Sequence, residues 1–289
     1  MARDLHPRLP PQSLASLPPP GRRGGAAPPR TRYRTVWISD FHLGTRTCRA
    51  RRLLRFLDSI ECETLYLVGD IIDGWALKKS WYWPSSHSDV VQTLVDLQTE
   101  TDIQVIYVPG NHDDLLRDYL PIDFAGVEVR REAEHTTVDG RRFLVVHGDE
   151  LDVTCNQARW MAQVGDYAYR AVTLGNSVVN TARRRLGLSY YPLAGRIKAC
   201  FKQALAVISD FELNWRQEAE RRGFDGVICG HIHTPKAHAD DDVEYYNDGD
   251  WVESCSALVE HRDGRLEIIT TGEPVEQYAT ASSTKEYAA

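Results

Sequence analysis

From Arg34 onward, short apolar runs alternate with amphipathic stretches, a rhythm that predicts strand, loop and helix in turn. Residues 35–39 (TVWIS) form an apolar run that ends in Asp-Phe-His and predicts a buried strand. Residues 48–60 carry Leu53, Leu54, Leu57 and Ile60 at helical spacing. TLYLVGD (64–70) predicts the second strand, and the helix after it is expected to open at Ser88 as its N-cap. IQVIYVPGNHD (103–113) predicts the third strand. Strands separated by helices imply parallel βαβ units and a layered α/β core.

The rhythm then changes. In HTTVDGRRFLVVHGDE, Asp139-Gly140 sits between two β-rich runs and predicts a hairpin. GVICGHIH predicts a further buried strand, and VEYYNDGDWVE, SALVEH and RLEIIT read as antiparallel strands that close the domain. A pair of mixed sheets flanked by helices follows from this order. Residues 155–222 break the pattern. They are helical in composition and hold 11 Lys and Arg against 5 Asp and Glu, which makes them basic in an acidic chain. An insertion of that length between core strands usually carries function, and it is read as a helical cap.

Composition sets outer limits. The 289 residues are 42% hydrophobic and 26% charged, enough for one sizeable core with an insertion. The core is assigned to residues 31–272. Residues 1–30, rich in Pro, Arg, Gly and Ala, are expected to be a disordered leader, and 273–289 a flexible tail. The net charge of −7 argues against a nucleic-acid partner. No apolar run is long enough to span a bilayer. The six cysteines are scattered without a C-x-x-C pair, so a reduced, cytoplasmic protein is expected.

The candidate chemistry lies in where Asp, Asn and His fall. Asp40-Phe41-His42 follows the first strand, Gly69-Asp70 with Asp73 the second, and Gly110-Asn111-His112-Asp113 the third. His147-Gly148-Asp149 ends the hairpin strand, and Gly230-His231-Ile232-His233 the late strand. Ligands in layered α/β folds bind at the carboxyl ends of strands, so the five clusters are expected to share one rim. In D-x-H and H-x-H, an extended backbone would place both side chains on one side. Imidazole, carboxylate and amide donors without thiolate suit Mn²⁺, Fe²⁺ or Zn²⁺. So many donors suit two divalent ions, which at roughly 3.5–4 Å apart can activate a hydroxide and neutralise phosphoryl charge.

These residues resemble the calcineurin-like metallophosphoesterase superfamily, whose pattern runs D-x-H, G-D-x-x-D, G-N-H-D/E, H and G-H-x-H. The resemblance implies a layered α/β/β/α sandwich and hydrolysis of a phosphoester or phosphoanhydride by a metal-bound hydroxide. It implies that Asp40, His42, Asp70 and His233 hold one ion, and that a bridging Asp70 with Asn111, His147 and His231 holds the other. His112 would then serve the leaving oxygen, oriented by Asp73.

HGDELD, the insertion after it, CGHIHTP and NDGDWVESCSALVE are most similar to the UDP-2,3-diacylglucosamine pyrophosphohydrolases of lipid A synthesis, which use Mn²⁺. The best-known form of those enzymes has Arg at the position of His112, so G-N-H-D is similar to a related branch and leaves the substrate open. A phosphodiesterase or phosphomonoesterase for another small molecule is the alternative, and a catalytically silent scaffold is a second. In the cap, apolar residues beside Arg183, Arg196, Lys198 and Lys202 read either as an acyl trough with phosphate-binding cations or as helices with a solvated basic face. Asn156 is a further candidate substrate contact, and Asp149 a partner for His147. Cap cations facing anionic lipid would hold the protein peripherally at the cytoplasmic face of the inner membrane. His87, His135, His238 and His261 fall outside the pattern, and the Trp75, Trp81 and Trp83 cluster is expected to be a packed loop, with a rim for substrate as the alternative.

Overall fold

A computed structural model of the chain describes residues 30–151, 210–239 and 242–271. The leader, the tail and most of the cap lie outside the described residues, and so do Asn156, Arg183, Arg196, Lys198 and Lys202. In chain order the described strands are β1 (Thr31–Arg32), β2 (Thr35–Ile38), β3 (Ile60–Glu61), β4 (Thr64–Val68), β5 (Gln104–Val108), β6 (Ile122–Phe124) and β7 (Val127–Val129). They continue with β8 (Ala133–Thr136), β9 (Arg142–Val145), β10 (Gly226–Cys229), β11 (Lys236–His238), β12 (Glu244–Asn247), β13 (Ser256–Glu260) and β14 (Leu266–Thr270). Helices α1 (Ala50–Ser59), α2 (Gly74–Lys79) and α3 (Ser85–Glu100) fall between the early strands, and residues 210–221 are helical.

The strands form a seven-stranded sheet, β14-β13-β2-β4-β5-β7-β6, a five-stranded sheet, β11-β12-β10-β9-β8, and a two-stranded pair, β1-β3. In the first, β2, β4, β5 and β7 run parallel. In the second, β9, β10 and β12 do.

The period-two alternation of each buried strand assigns its residues to layers. Val36, Ile38, Leu65, Leu67, Val105 and Tyr107 face the core shared with α1 and α3. Their neighbours Trp37, Tyr66, Val68, Ile106 and Val108 meet Phe143, Val145, Ile228 and Tyr246 of the other sheet. Leu144, Val227, Cys229 and Tyr245 turn outward to Phe211, Trp215 and Ala219 of the 210–221 helix. The result is the expected four layers, α/β/β/α. The five chemistry-bearing loops leave β2, β4, β5, β9 and β10, which are parallel within each sheet.

Four expectations change. Helix α1 ends at Ser59, and Ile60 is extended in β3, where it pairs with Thr31. Helix α3 begins at Ser85 behind Pro84, so Ser88 lies inside it and its hydroxyl accepts from Trp83 Nε1 at 3.0 Å. Proline fixes an extended entry to a helix without needing a side-chain cap. Strand β12 pairs in parallel with β10 rather than joining an antiparallel closing meander. The described end of the cap segment, residues 210–222, packs on the second sheet through Phe211, Trp215 and Ala219 and completes the outer layer.

Candidate metal centre

The loops after β2 and β4 run side by side. The Asp40 N–H donates to the Gly69 carbonyl, and His42 and Leu43 donate to those of Asp70 and Ile71, at 2.9–3.0 Å. Asp40, His42, Asp70, His231 and His233 all take left-handed φ values between +49° and +68°. The D-x-H and H-x-H pairs are therefore not extended, as strand alternation would require. Left-handed backbone at alternate residues turns both side chains of each pair inward instead. Non-glycine residues at positive φ carry strain of about 1–3 kcal/mol each, and such strain concentrates at functional sites.

Three groups of side chains converge here: Asp40, His42 and His233; His42, Asp70 and His112; and Asp70, His147 and His231. Asp40 Oδ1 lies 2.7 Å from His233 Nε2, and the His42 and His233 Nε2 atoms lie 3.2 Å apart. Each oxygen of Asp70 faces a different imidazole: Oδ2 is 3.7 Å from His42 Nε2, and Oδ1 is 3.5 Å from His147 Nε2. His112 Nδ1 lies 3.0 Å from Asp73 Oδ1, and its Nε2 is 3.9 Å from Asp70 Oδ2.

These donors fit divalent ions. His147 Nδ1 donates to the Val68 carbonyl at 2.8 Å, and His42 Nδ1 to Asp73 Oδ2 at 3.2 Å, so both Nε2 atoms point into the centre. Tethering of the far ring nitrogen is the arrangement that orients a metal-binding histidine. Buried His147 Nε2 and both polar atoms of the Asn111 side chain have no hydrogen-bond partner among the described residues. Orphaned polar atoms of this kind are expensive unless something pairs with them. A Cβ added to Gly110 would lie 2.7 Å from His147 Nε2, so only glycine leaves the donors room to meet.

The electrostatics agree. Burial alone would lower the pKa of His42, but the carboxylates of Asp40, Asp73 and Asp70 outweigh it and raise it to about 10. His147 is likewise raised to about 10, against burial, chiefly by Asp70. Burial would raise Asp70 and Asp73, yet the neighbouring histidines hold both well below the usual carboxylate range. The site is a tight lattice of alternating charge in which a bound cation would take the place of protons.

Several residues that the sequence left unassigned brace this centre. Asp113 is buried and accepts from the Ile71 and Gly110 N–H groups and the Tyr107 hydroxyl, which ties the loops after β4 and β5 together. Ser39 Oγ lies 2.7 Å from Asp40 Oδ2 and 2.6 Å from Asp248 Oδ1. Burial and the Asp40 charge push the Asp248 carboxyl well up, so a protonated Asp248 can donate to Ser39 while Ser39 donates to Asp40. Asp113 stands in G-N-H-D and Asp248 in N-D-G-D, but only the fold reveals what they hold. Trp75 lies against His112 with ring centroids 4.3 Å apart and planes tilted by 36°, and is 47% exposed, so it rims the site rather than packing a loop.

Asp149 is not hydrogen-bonded to His147. Its carboxylate takes both Arg117 Nη atoms at 2.6–2.7 Å, a bidentate match that an imidazole whose Nδ1 proton is given to Val68 does not offer. Of the remaining histidines, His87 and His135 are buried, and His238 and His261 pair with Glu212 and Glu267.

Residues 33–235 match the family model of the calcineurin-like phosphoesterases. The chain belongs to that family. It is a metal-dependent hydrolase of phosphoric esters or anhydrides. Among its relatives is the UDP-2,3-diacylglucosamine hydrolase of Xanthomonas campestris pv. campestris, 28% identical over 263 residues, which cover 80% of this chain and 96% of that protein. The enzyme of the same name from Stenotrophomonas maltophilia is 28% identical over 219 residues, covering 71% and 84%. Among solved structures, a phosphoesterase from E. coli aligns with a TM-score of 0.41 at 14% identity, covering 82% of this chain and 99% of that one. Among the described residues, no helix is long and apolar enough to cross a membrane.

Proposed function

We propose that this phosphoesterase hydrolyses a phosphoanhydride or phosphoester with two divalent ions that share Asp70. Asp40, His42, Asp70 and His233 would hold one ion, and Asp70, Asn111, His147 and His231 the other. The observation that carries this reading is the Asp70 carboxylate, whose two oxygens face His42 and His147 at 3.7 and 3.5 Å. The mixture of imidazole, carboxylate and amide donors favours Mn²⁺, with Fe²⁺ or Zn²⁺ as alternatives. When bound, the ions supply an activated water and neutralise charge on the phosphoryl oxygens.

The chain's own residues do the rest. Asp73 is fixed by the Ala76 N–H at 2.7 Å and stands at Nδ1 of His112, leaving Nε2 to give a proton to the leaving oxygen. Trp75 covers one face of that ring and limits water there. Ser39 and the Val68 carbonyl hold Asp40 and His147 in the orientations that binding needs.

The substrate is proposed to be the pyrophosphate of UDP-2,3-diacylglucosamine or a related nucleotide- or lipid-linked compound. Relatives named for that substrate, aligned over 80% of the chain, support it. Contact with the membrane that holds such a lipid, on its cytoplasmic face, belongs to the same proposal. Purified protein with Mn²⁺ is expected to release UMP from UDP-2,3-diacylglucosamine and to saturate at two ions per chain. Turnover of bis-(p-nitrophenyl) phosphate with that substrate left intact would remove the lipid reading alone. Saturation at one ion would remove the paired centre.

A further inference from the structure

Arg46, Arg49, Arg51, Arg52 and Arg55 occupy one exposed stretch, the loop before α1 and α1 itself. None of the five forms an ion pair among the described residues. Arg46 lies over the Tyr82 ring at 4.5 Å, Arg49 donates to the Val252 carbonyl at 3.2 Å, and Arg52 Nη1 stands 3.8 Å from Cys255 Sγ. Elsewhere on the surface arginines do pair: Arg32 with Glu61, Arg142 with Glu134, Arg221 with Glu218 and Arg265 with Glu267. In a chain of net charge −7, carboxylates are plentiful, yet Asp58, the one acidic residue of α1, pairs with none of these arginines among the described residues.

Arg49, Arg51, Arg52 and Arg55, with Tyr82 and His87, line a cleft of about 450 Å³. His87 is only 2% exposed. Its Nδ1 accepts from the Gly44 N–H at 3.0 Å, which places the ring proton on Nε2, a donor without a partner among the described residues. The first turns of α1 and α3 border the same cleft, and neither has an acidic residue or a side-chain cap. Both helix N-termini therefore add uncompensated positive potential. None of the candidate metal ligands lines the cleft, although His87 ties it to the loop that carries Asp40 and His42.

We infer that this cleft is a second binding site, separate from the metal centre, for the phosphate group of an anionic ligand. Forked guanidinium groups match phosphate oxygens bidentately, and the imidazole N–H adds a neutral donor from the buried side. The phosphate can arrive on a free small molecule or on a lipid headgroup, and both present the same oxyanion to the arginines.

The test uses the full chain, metal-loaded, as wild type, as R51Q/R55Q, and as the charge-matched surface control R221Q/R265Q. Each is titrated calorimetrically with inorganic phosphate and sedimented with phosphatidylglycerol vesicles, with phosphatidylcholine vesicles as the neutral reference. Wild type and control are expected to bind phosphate at one site more than R51Q/R55Q, or at least tenfold more tightly. If only phosphatidylglycerol separates them, the phosphate belongs to a lipid headgroup and the site stands. If neither ligand separates R51Q/R55Q from wild type, or the control loses binding equally, the cleft is not a phosphate site. Metal content and turnover on the same samples keep this outcome distinct from the fate of the metal centre.

Discussion

At the residue scale, Asp70 and His112 separate holding metal from moving a proton. Asp70 faces both histidine clusters, so Asp70→Ala is expected to lose metal and activity together. His112 is tied to Asp73 and Trp75 at the edge of the centre. His112→Ala is expected to lower kcat by about 10²- to 10⁴-fold, the usual share of a general acid, with metal content kept. Metal analysis of both variants checks the pair of expectations, and equal metal loss would make His112 a ligand instead. The raised pKa values of His42 and His147, about 10 each, add a pH dependence. Metal-free protein holds protons on both rings at neutral pH, and a metal ligand must be a neutral imidazole. Binding should therefore release protons, and apparent metal affinity should rise with pH until about 10. Calorimetry in buffers of different ionisation enthalpy measures that release directly.

At the element scale, the site depends on strands ending where their loops can bend sharply. Gly110 stands in the loop after β5 at a point where a Cβ would lie 2.7 Å from both His147 Nε2 and the Asp70 backbone nitrogen. Gly110→Ala is expected to keep secondary structure by circular dichroism and yet lose bound metal. Retention of both ions would mean that the loops after β5 and β9 give way more readily than their packing suggests. The same crowding explains why D-x-H and H-x-H are left-handed: an extended continuation of β2 or β10 would carry the second side chain past the centre rather than into it.

At the scale of the whole molecule, one buried carboxylate links the two sheets. Glu260 at the end of β13 accepts from Arg34, Thr35, His135 and the Val138 N–H, and so joins the first sheet to the β8–β9 hairpin of the second. Removing one partner of such a buried network costs about 3–5 kcal/mol, the loss expected in chemical denaturation of Glu260→Ala. Burial alone would raise this carboxyl, but His135, the Val138 N–H and Arg34 bring it down to about 2. A lowered carboxyl pKa stabilises the fold fully above the unfolded value of about 4.3 and loses that contribution as pH falls through the folded value. The stability gap between wild type and Glu260→Gln should be widest near neutral pH and close between roughly pH 4 and pH 2.

The layers and the chemistry were legible in the sequence for one reason. Period-two burial and helical spacing are local patterns, and each polar cluster stands at the end of a run that those patterns mark. Asp40, Asp70, His147 and His231 could be selected without knowing where they meet. What the chain pattern could not carry were relations between distant residues. Ser39 reaches Asp248, Asp113 closes on the Tyr107 hydroxyl, and Asp149 turns to Arg117 rather than to its near neighbour His147. Those choices depend on which donors crowd together once two sheets pack. The left-handed turns at the candidate ligands belong with them, because a strained backbone persists only where the surrounding fold over-determines it.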